Sequence, residues 1–345
     1  IKKTKGKLFI GLLLSCCFIV SLFYGCSKTE ESIMPVNSYD TEMLSLNSNT
    51  NGELDYNSNL FYINTLEFNV ADPSLIYITE GEDAGYFYVY GTSDDVQTKA
   101  IQSWRSKDLT HWESMGIAFF PDYSVTWGTS SYFAPEVIYD DSLGLYFMCY
   151  NATSAITGNA CLSIAYSSHP AGPFVNPDGR KNAYGETLTP ALPVYDFSQN
   201  NDRVDPALAR SSTIDASLFV DPVSRELYLY FCYYDSLDTT KESEIFGCKM
   251  IDWFTPDYST LKQLTALNYI TVDAAMKDAA GEDFDTSLKI DTESRLNEAP
   301  FMYYHEGKYY LTFSINSYRN AEYQVRQAIA DSPLGDFEKV RMEDG

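Results

Sequence analysis

"NEAPFMYYHEGKYYLTFS" (residues 297–314) alternates apolar and polar residues on both sides of a short Glu-Gly turn, as a half-buried hairpin does, yet it begins with Glu298 pressed against an apolar run. Three other stretches share this build: "DPSLIYITEGEDAGYFYVYGTS" from Asp72, "APEVIYDDSLGLYFMCYNATS" from Ala134 and "DASLFVDPVSRELYLYFCYYDS" from Asp215. Each is followed by a third apolar segment: "IQSWRSKDLTHW", "CLSIAYSSHPAGPF", "SEIFGCKMIDWF" and, after the fourth hairpin, "YQVRQAIADSPLGDF". The aromatic residues near their ends, Trp112, Phe174, Trp253 and Phe337, fall 40, 40, 38 and 39 residues after the four segment starts. Such even spacing predicts a repeated sheet of three or four strands. A sheet of this size cannot bury both faces alone and must stack on its neighbours, as the blades of a β-propeller do.

In a propeller the first strand of every blade lines the central channel, and its start opens at one mouth. The four starts are Asp72, Ala134, Asp215 and Glu298, so three of the four positions taken as equivalent are carboxylates. Gathering like charges in one funnel raises at least one pKa and is seldom kept for stability alone. Glu298 is therefore expected at a mouth to which other blades bring acids of their own.

The 345 residues are 45% hydrophobic and 15% aromatic, enough for a large core, and the wealth of Tyr and Phe favours strands. A formal charge of −24 repels phosphate backbones and excludes a nucleic-acid partner. Cys149, Cys161, Cys232 and Cys248 lack CxxC spacing, so buried thiols are expected, with Cys149–Cys161 or Cys232–Cys248 disulfides as the alternative in an oxidising compartment. His111, His169 and His305 lie beside turns and are expected at the surface, outside any ligand or triad pattern. The acidic tract from Asp273 to Glu293 lacks EF-hand spacing and reads as a solvated loop or helix, so structural calcium has no support there.

The chain opens on Lys2, Lys3, Lys5 and Lys7, followed by an uncharged run from Leu8 to Gly25 and then Cys26. Two devices fit: a membrane-spanning anchor, for which 18 residues barely suffice, or a signal peptide cleaved before a lipidated Cys26. "LFYGC" resembles a bacterial lipobox in Leu22 and Gly25, and "SKTEE" after Cys26 resembles the acidic export tag of surface-displayed bacterial lipoproteins. The domain plan is then a lipoprotein signal peptide over 1–26, a Ser-, Asn- and Thr-rich tether over 27–59 and a propeller over 60–345. An outer-membrane lipoprotein, periplasmic or cell-surface facing, is the expected location.

"VADPSLIY", "FAPEVIYDD", "IDASLFVDP" and "NEAPFMYY" resemble the blade signatures of family 43 glycoside hydrolases, over about residues 66 to 340. The resemblance implies an all-β, five-bladed β-propeller acting on arabinose- or xylose-containing polysaccharides or oligosaccharides, monomeric and without a required cofactor. It implies Asp72 as general base, Glu298 as general acid and Asp215 as the ionised carboxylate that orients the acid and raises its pKa. Inversion of configuration is implied too, with carboxyls ~6.5–9.5 Å apart to admit a water. Phe133 stands where the family often has Trp, to stack on a sugar ring or to fill the core. Glu136 either supports the site through hydrogen bonds or faces solvent; both are candidate substrate-binding residues. A sugar-binding propeller without turnover is the main alternative. A retaining invertase-like propeller fits less well, because its "NDPNG"-type strand is replaced here by "ADPSL". The long connections 176–213 and 255–296 are expected to rise over one face and shape the subsites. After the fourth blade only a few residues remain, so a C-terminally incomplete chain lacking the fifth blade is expected, unless residues 45–70 supply a hairpin.

Overall fold

The computed structural model describes residues 70–92, 100–235, 243–266, 296–316, 318–319 and 323–340. All belong to the compact unit Thr65–Gly345. Cys26, the signal and tether segments, and the acidic tract from Asp273 to Glu293 lie outside the described residues.

Four antiparallel sheets follow one another along the chain. The first holds β1 (Ala71–Tyr77), β2 (Phe87–Thr92), β3 (Ile101–Ser106) and β4 (Glu113–Phe119). The second holds β5 (Gly128–Asp140), β6 (Leu145–Ser154) and β7 (Ala160–Ser167). In the third, β8 (Ser212–Val220), β9 (Leu227–Tyr234) and β10 (Glu244–Asp252) are edged by β11 (Thr255–Pro256) and β12 (Lys262–Gln263). The fourth holds β13 (Asn297–His305), β14 (Lys308–Ile315), β15 (Gln324–Ala330) and β16 (Glu338–Lys339). Strand order equals chain order in the path of every sheet, and the first strands β1, β5, β8 and β13 contact one another in succession. These are four blades of a β-propeller.

The apolar runs explain the stacking. In "LYFMCY" of β6, Phe147 and Cys149 enter a cluster with Leu229, Phe231 and Phe246 of the third blade, whereas Met148 and Tyr150 join Tyr88, Tyr90 and Ile101 of the first. In "LYLYFCYY" of β9, Leu229 and Phe231 face the second blade, and Tyr228, Tyr230 and Cys232 face Leu311 and Phe313 of the fourth. A middle strand buried on both faces thus reads as a continuous apolar run. Each ring removed from water contributes about 1.5–3 kcal/mol. The repeated aromatics lie in the same seams: Phe174 and Trp253 are buried in the clusters shared with the preceding blade, and Phe337 lies against the cluster shared by blades three and four. Trp253 stacks on Phe147 with ring centroids 4.2 Å apart, and its Nε1 donates to Asp140 Oδ2 at 2.7 Å. On the end blades Leu75, Tyr77, Phe301 and Val325 remain more than half exposed.

One alternative is removed here and two expectations are refined. Cys149 lies opposite Ile164 while Cys161 lies opposite Ala152, and Cys232 faces Ile245 while Cys248 faces Leu229, so register separates both pairs and all four thiols are free. The stretch after β7 packs closely on blades two and three, and reaches the start of β5 through the Trp127 N–H bond to the Pro190 carbonyl at 2.9 Å. It runs along the outer edges of blades two and three, through the Tyr166–Val175 and Leu162–Tyr195 bridges, the Ala183 N–H bond to Thr255 Oγ1 and the Tyr195 hydroxyl bond to the Trp253 carbonyl. Residues 255–266 edge the third blade, and the rest of that connection, up to 295, lies outside the described residues. The histidines are exposed as expected, but each lies beside a carboxylate: His111 Nδ1 is 2.7 Å from Asp108, His169 Nε2 is 3.1 Å from the buried Asp83, which Arg105 also holds at 2.8 Å, and His305 Nε2 is 3.7 Å from Glu306.

Candidate active site

Every first strand begins with the same irregularity. Pairing with the second strand breaks between Ala71 and Ser74, Phe133 and Glu136, Ile214 and Ser217, and Glu298 and Phe301. Inside each break stands a non-glycine residue in the left-handed region: Asp72 (φ 48°), Ala134 (45°), Asp215 (56°) and Ala299 (52°). Such a conformation costs about 1–3 kcal/mol per residue, so its fourfold recurrence marks a built feature, a bulge that turns the strand start toward the mouth.

The bulge corrects the register of one acid. The counterpart of Asp72 and Asp215 in blade four is Ala299, and Glu298 sits one residue earlier, opposite Ser314. Phe133 holds that earlier position in blade two and is half-buried, opposite Asn151. Pro73, Pro135 and Pro300 mark the true alignment, since each directly follows the left-handed residue.

All three carboxylates still meet. Asp215 Oδ2 accepts the Ala299 N–H at 3.0 Å, immediately beside Glu298. Burial, and next the charge of Glu298, push the Asp215 carboxyl up to about 7; Asp72 pushes it in the same direction, against the Ala299 N–H. Glu298 is also raised, by burial first and by Asp72, while a hydrogen bond from Tyr323 opposes the rise. Like charges gathered this closely favour the protonated form of at least one of them.

Neighbouring blades are tied together at the bulges. The Ala134 N–H donates to Thr92 Oγ1 at 2.8 Å, and Thr92 in turn donates to Asp72 Oδ2 at 2.9 Å. The Asp215 N–H points to Asn151 Oδ1 at 3.4 Å. Two residues beyond the left-handed position, Ser74 Oγ accepts the Val137 N–H at 3.0 Å, and Glu136 Oε1 accepts the Leu218 N–H at 2.8 Å and the Ser217 hydroxyl at 3.2 Å. Glu136 thus spans blades two and three through protein groups and does not point to open solvent, and burial pushes its carboxyl up to about 8. Thr92, Asn151 and Tyr323 escaped the sequence reading because they come from other strands or loops at no fixed spacing; a polar residue late in a second strand was the signal for the first two. Among the described residues no group of three His, Cys, Asp or Glu side chains is arranged to hold a metal ion.

The model of "Glycosyl hydrolases family 43" matches residues 63–343 of the sequence. The chain belongs to this family. Family 43 membership makes the protein a glycoside hydrolase, with the acidic mouth as its candidate active site. Among curated proteins none matches the sequence. Solved structures that share the fold include an endo-1,4-beta-xylanase from Bacteroides thetaiotaomicron, at 23% identity and TM-score 0.56 over 80% of this chain and 74% of that one. A thermostable family-43 glycoside hydrolase shares 24% identity at TM-score 0.56, over 81% and 73% of the two chains. An endo-arabinase from Bacteroides thetaiotaomicron shares 20% identity at TM-score 0.50, over 81% and 83%.

Proposed function

We propose that the protein hydrolyses glycosidic bonds in arabinose- or xylose-containing plant polysaccharides or their oligosaccharides, with inversion at the anomeric carbon. The observation that carries this is the meeting of Asp72, Asp215 and Glu298 at one mouth, where burial raises both Asp215 and Glu298 and the neighbouring acids push in the same direction. Glu298 gives its proton to the leaving glycosidic oxygen as the bond to the anomeric carbon breaks. Asp72 takes a proton from the water whose oxygen bonds to that carbon from the opposite face. Asp215 holds the backbone beside Glu298 through the Ala299 N–H and so orients the acid. Phe133, one residue ahead of the bulge in blade two, offers an aromatic face to a sugar ring. The xylanase and the endo-arabinase that share the fold support a pentose-based substrate.

The same proposal includes a monomer held at the bacterial outer membrane by a lipid on Cys26, with residues 27–59 as tether and the catalytic unit in the periplasm or at the cell surface. The Lys-rich start, the uncharged run and the lipobox-like "LFYGC" support it.

Release of reducing sugar from arabinan, arabinoxylan, xylan and aryl pentosides tests the activity, and proton NMR of the first-released anomer tests inversion. Asp72→Asn and Glu298→Ala are expected to abolish turnover with the fold intact by circular dichroism. Near-normal turnover in either variant removes the assignment.

A further inference from the structure

We propose that Thr92, at the end of β2, is the positioning residue that aims the Asp72 carboxylate; this rests on the reading of Asp72 as general base. A hydroxyl carries one proton and two lone pairs. The Ala134 N–H, which can only donate, occupies a lone pair of Thr92 Oγ1 at 2.8 Å. The single hydroxyl proton is then left for Asp72 Oδ2, 2.9 Å away. Donor and acceptor roles along Ala134, Thr92 and Asp72 are therefore fixed, with no alternative rotor state that keeps both bonds.

The anchor matters because Asp72 is exposed at the mouth and is the first residue of a bulge, where neither backbone pairing nor packing limits its side chain. Among the described residues, Thr92 is the one side chain that donates to its carboxylate. With Oδ2 held by Thr92, the other oxygen is the one left to accept a proton from water. Thr92 is held in its turn. It pairs with Ala71 across the sheet, and the preceding Gly91 allows close approach, since a Cβ there would lie 2.6 Å from the Ala71 carbonyl oxygen. The left-handed turn at Ala134 delivers the amide from the next blade. A base displaced by about an ångström loses on the order of 100-fold in rate, so a side chain that never touches substrate controls turnover through Asp72. Asn151 occupies the same register in blade two and catches the next amide, that of Asp215, in the same manner.

The test compares Thr92→Val, Thr92→Ser and Asp72→Asn in the full-length protein, on whichever pentose substrate the wild type turns over. Thr92→Val is expected to lower kcat by about 10–100-fold with KM within about twofold, and Thr92→Ser to keep kcat within about threefold. Thr92→Ala replaces the valine variant if that one fails to fold, with the same comparison to Thr92→Ser. A normal kcat in the variant lacking the hydroxyl, a loss confined to KM, or a serine variant as impaired as the valine one overturns the positioning role while an inactive Asp72→Asn leaves the base assignment standing. An active Asp72→Asn overturns the base assignment and the positioning role with it.

Discussion

Glu136→Gln should make the protein more stable in alkali while leaving it unchanged in mild acid. Glu136 bridges blades two and three, its Oε1 accepting from Leu218 N–H and Ser217 Oγ, and burial raises its carboxyl from an ordinary 4.5 to about 8. Because the folded-state pKa lies above that of the unfolded chain, the native state holds this proton more tightly. The contribution is complete below about pH 4 and is lost as pH rises through 8. A displacement from 4.5 to about 8 corresponds to at most about 5 kcal/mol, and the high effective dielectric that even buried sites show lowers this to about 2–3 kcal/mol. Gln keeps the acceptor for Leu218 and cannot ionise. The stability gap between variant and wild type should therefore widen by about 2–3 kcal/mol from pH 5 to pH 9, or roughly 5–10 °C in Tm for a fold of this size. Urea unfolding followed by Trp fluorescence at pH 5, 7 and 9 measures it, and taking the difference cancels the titration of every other carboxylate. A gap that stays constant across this range refutes the account, because a lost hydrogen bond or altered packing carries no pH dependence.

Tyr323→Phe removes the hydrogen bond that holds the Glu298 pKa down, so Glu298 should stay protonated to higher pH and the basic limb of kcat/KM should move upward; a limb that stays put or moves down refutes that role. Ala134→Gly should lie within about 0.5 kcal/mol of wild type in unfolding experiments, because relief at φ 45° offsets the extra entropy of the unfolded chain. Ala165→Gly, in the buried regular strand β7, should cost about 1 kcal/mol; equal losses at the two sites would falsify the strain argument.

The fold was legible because stacking leaves its mark on composition. Strands covered on both faces demand the unbroken apolar runs of β6 and β9, and each seam needs a large closing ring, hence Phe174, Trp253 and Phe337 at nearly constant spacing. The site was legible only in part. Aligning the repeats on their carboxylates put Glu298 beside Asp72 and Asp215, whereas aligning on Pro73, Pro135 and Pro300 recovers the bulge and puts Ala299 there. Backbone geometry, not side-chain charge, sets the register, and proline is the residue that reports it. Thr92, Asn151 and Tyr323 were invisible for a different reason. Each acts across sheets on a partner in another strand, and nothing in local spacing links Thr92 to Ala134 or Asn151 to Asp215.

The left-handed bulge recurs even where its residue carries no chemistry. Ala134 and Ala299 adopt the same strained backbone as Asp72 and Asp215, so the strain cannot be explained by catalysis alone. The amides of Ala134, Asp215 and Ala299 share one use instead: each meets a side chain of the preceding blade, Thr92, Asn151 and Asp215 respectively. The bulge is thus a joint between blades first, and the acidic site occupies two of its four copies. In blade three one residue does both, as Asp215 offers its amide to blade two and its carboxylate to blade four. Replacing Asp215 therefore removes a strut and a charge together, and the resulting loss of activity cannot separate chemistry from framework. Asp72 and Glu298, whose carboxylates accept no amide from a neighbouring blade among the described residues, are the positions at which that separation is experimentally clean.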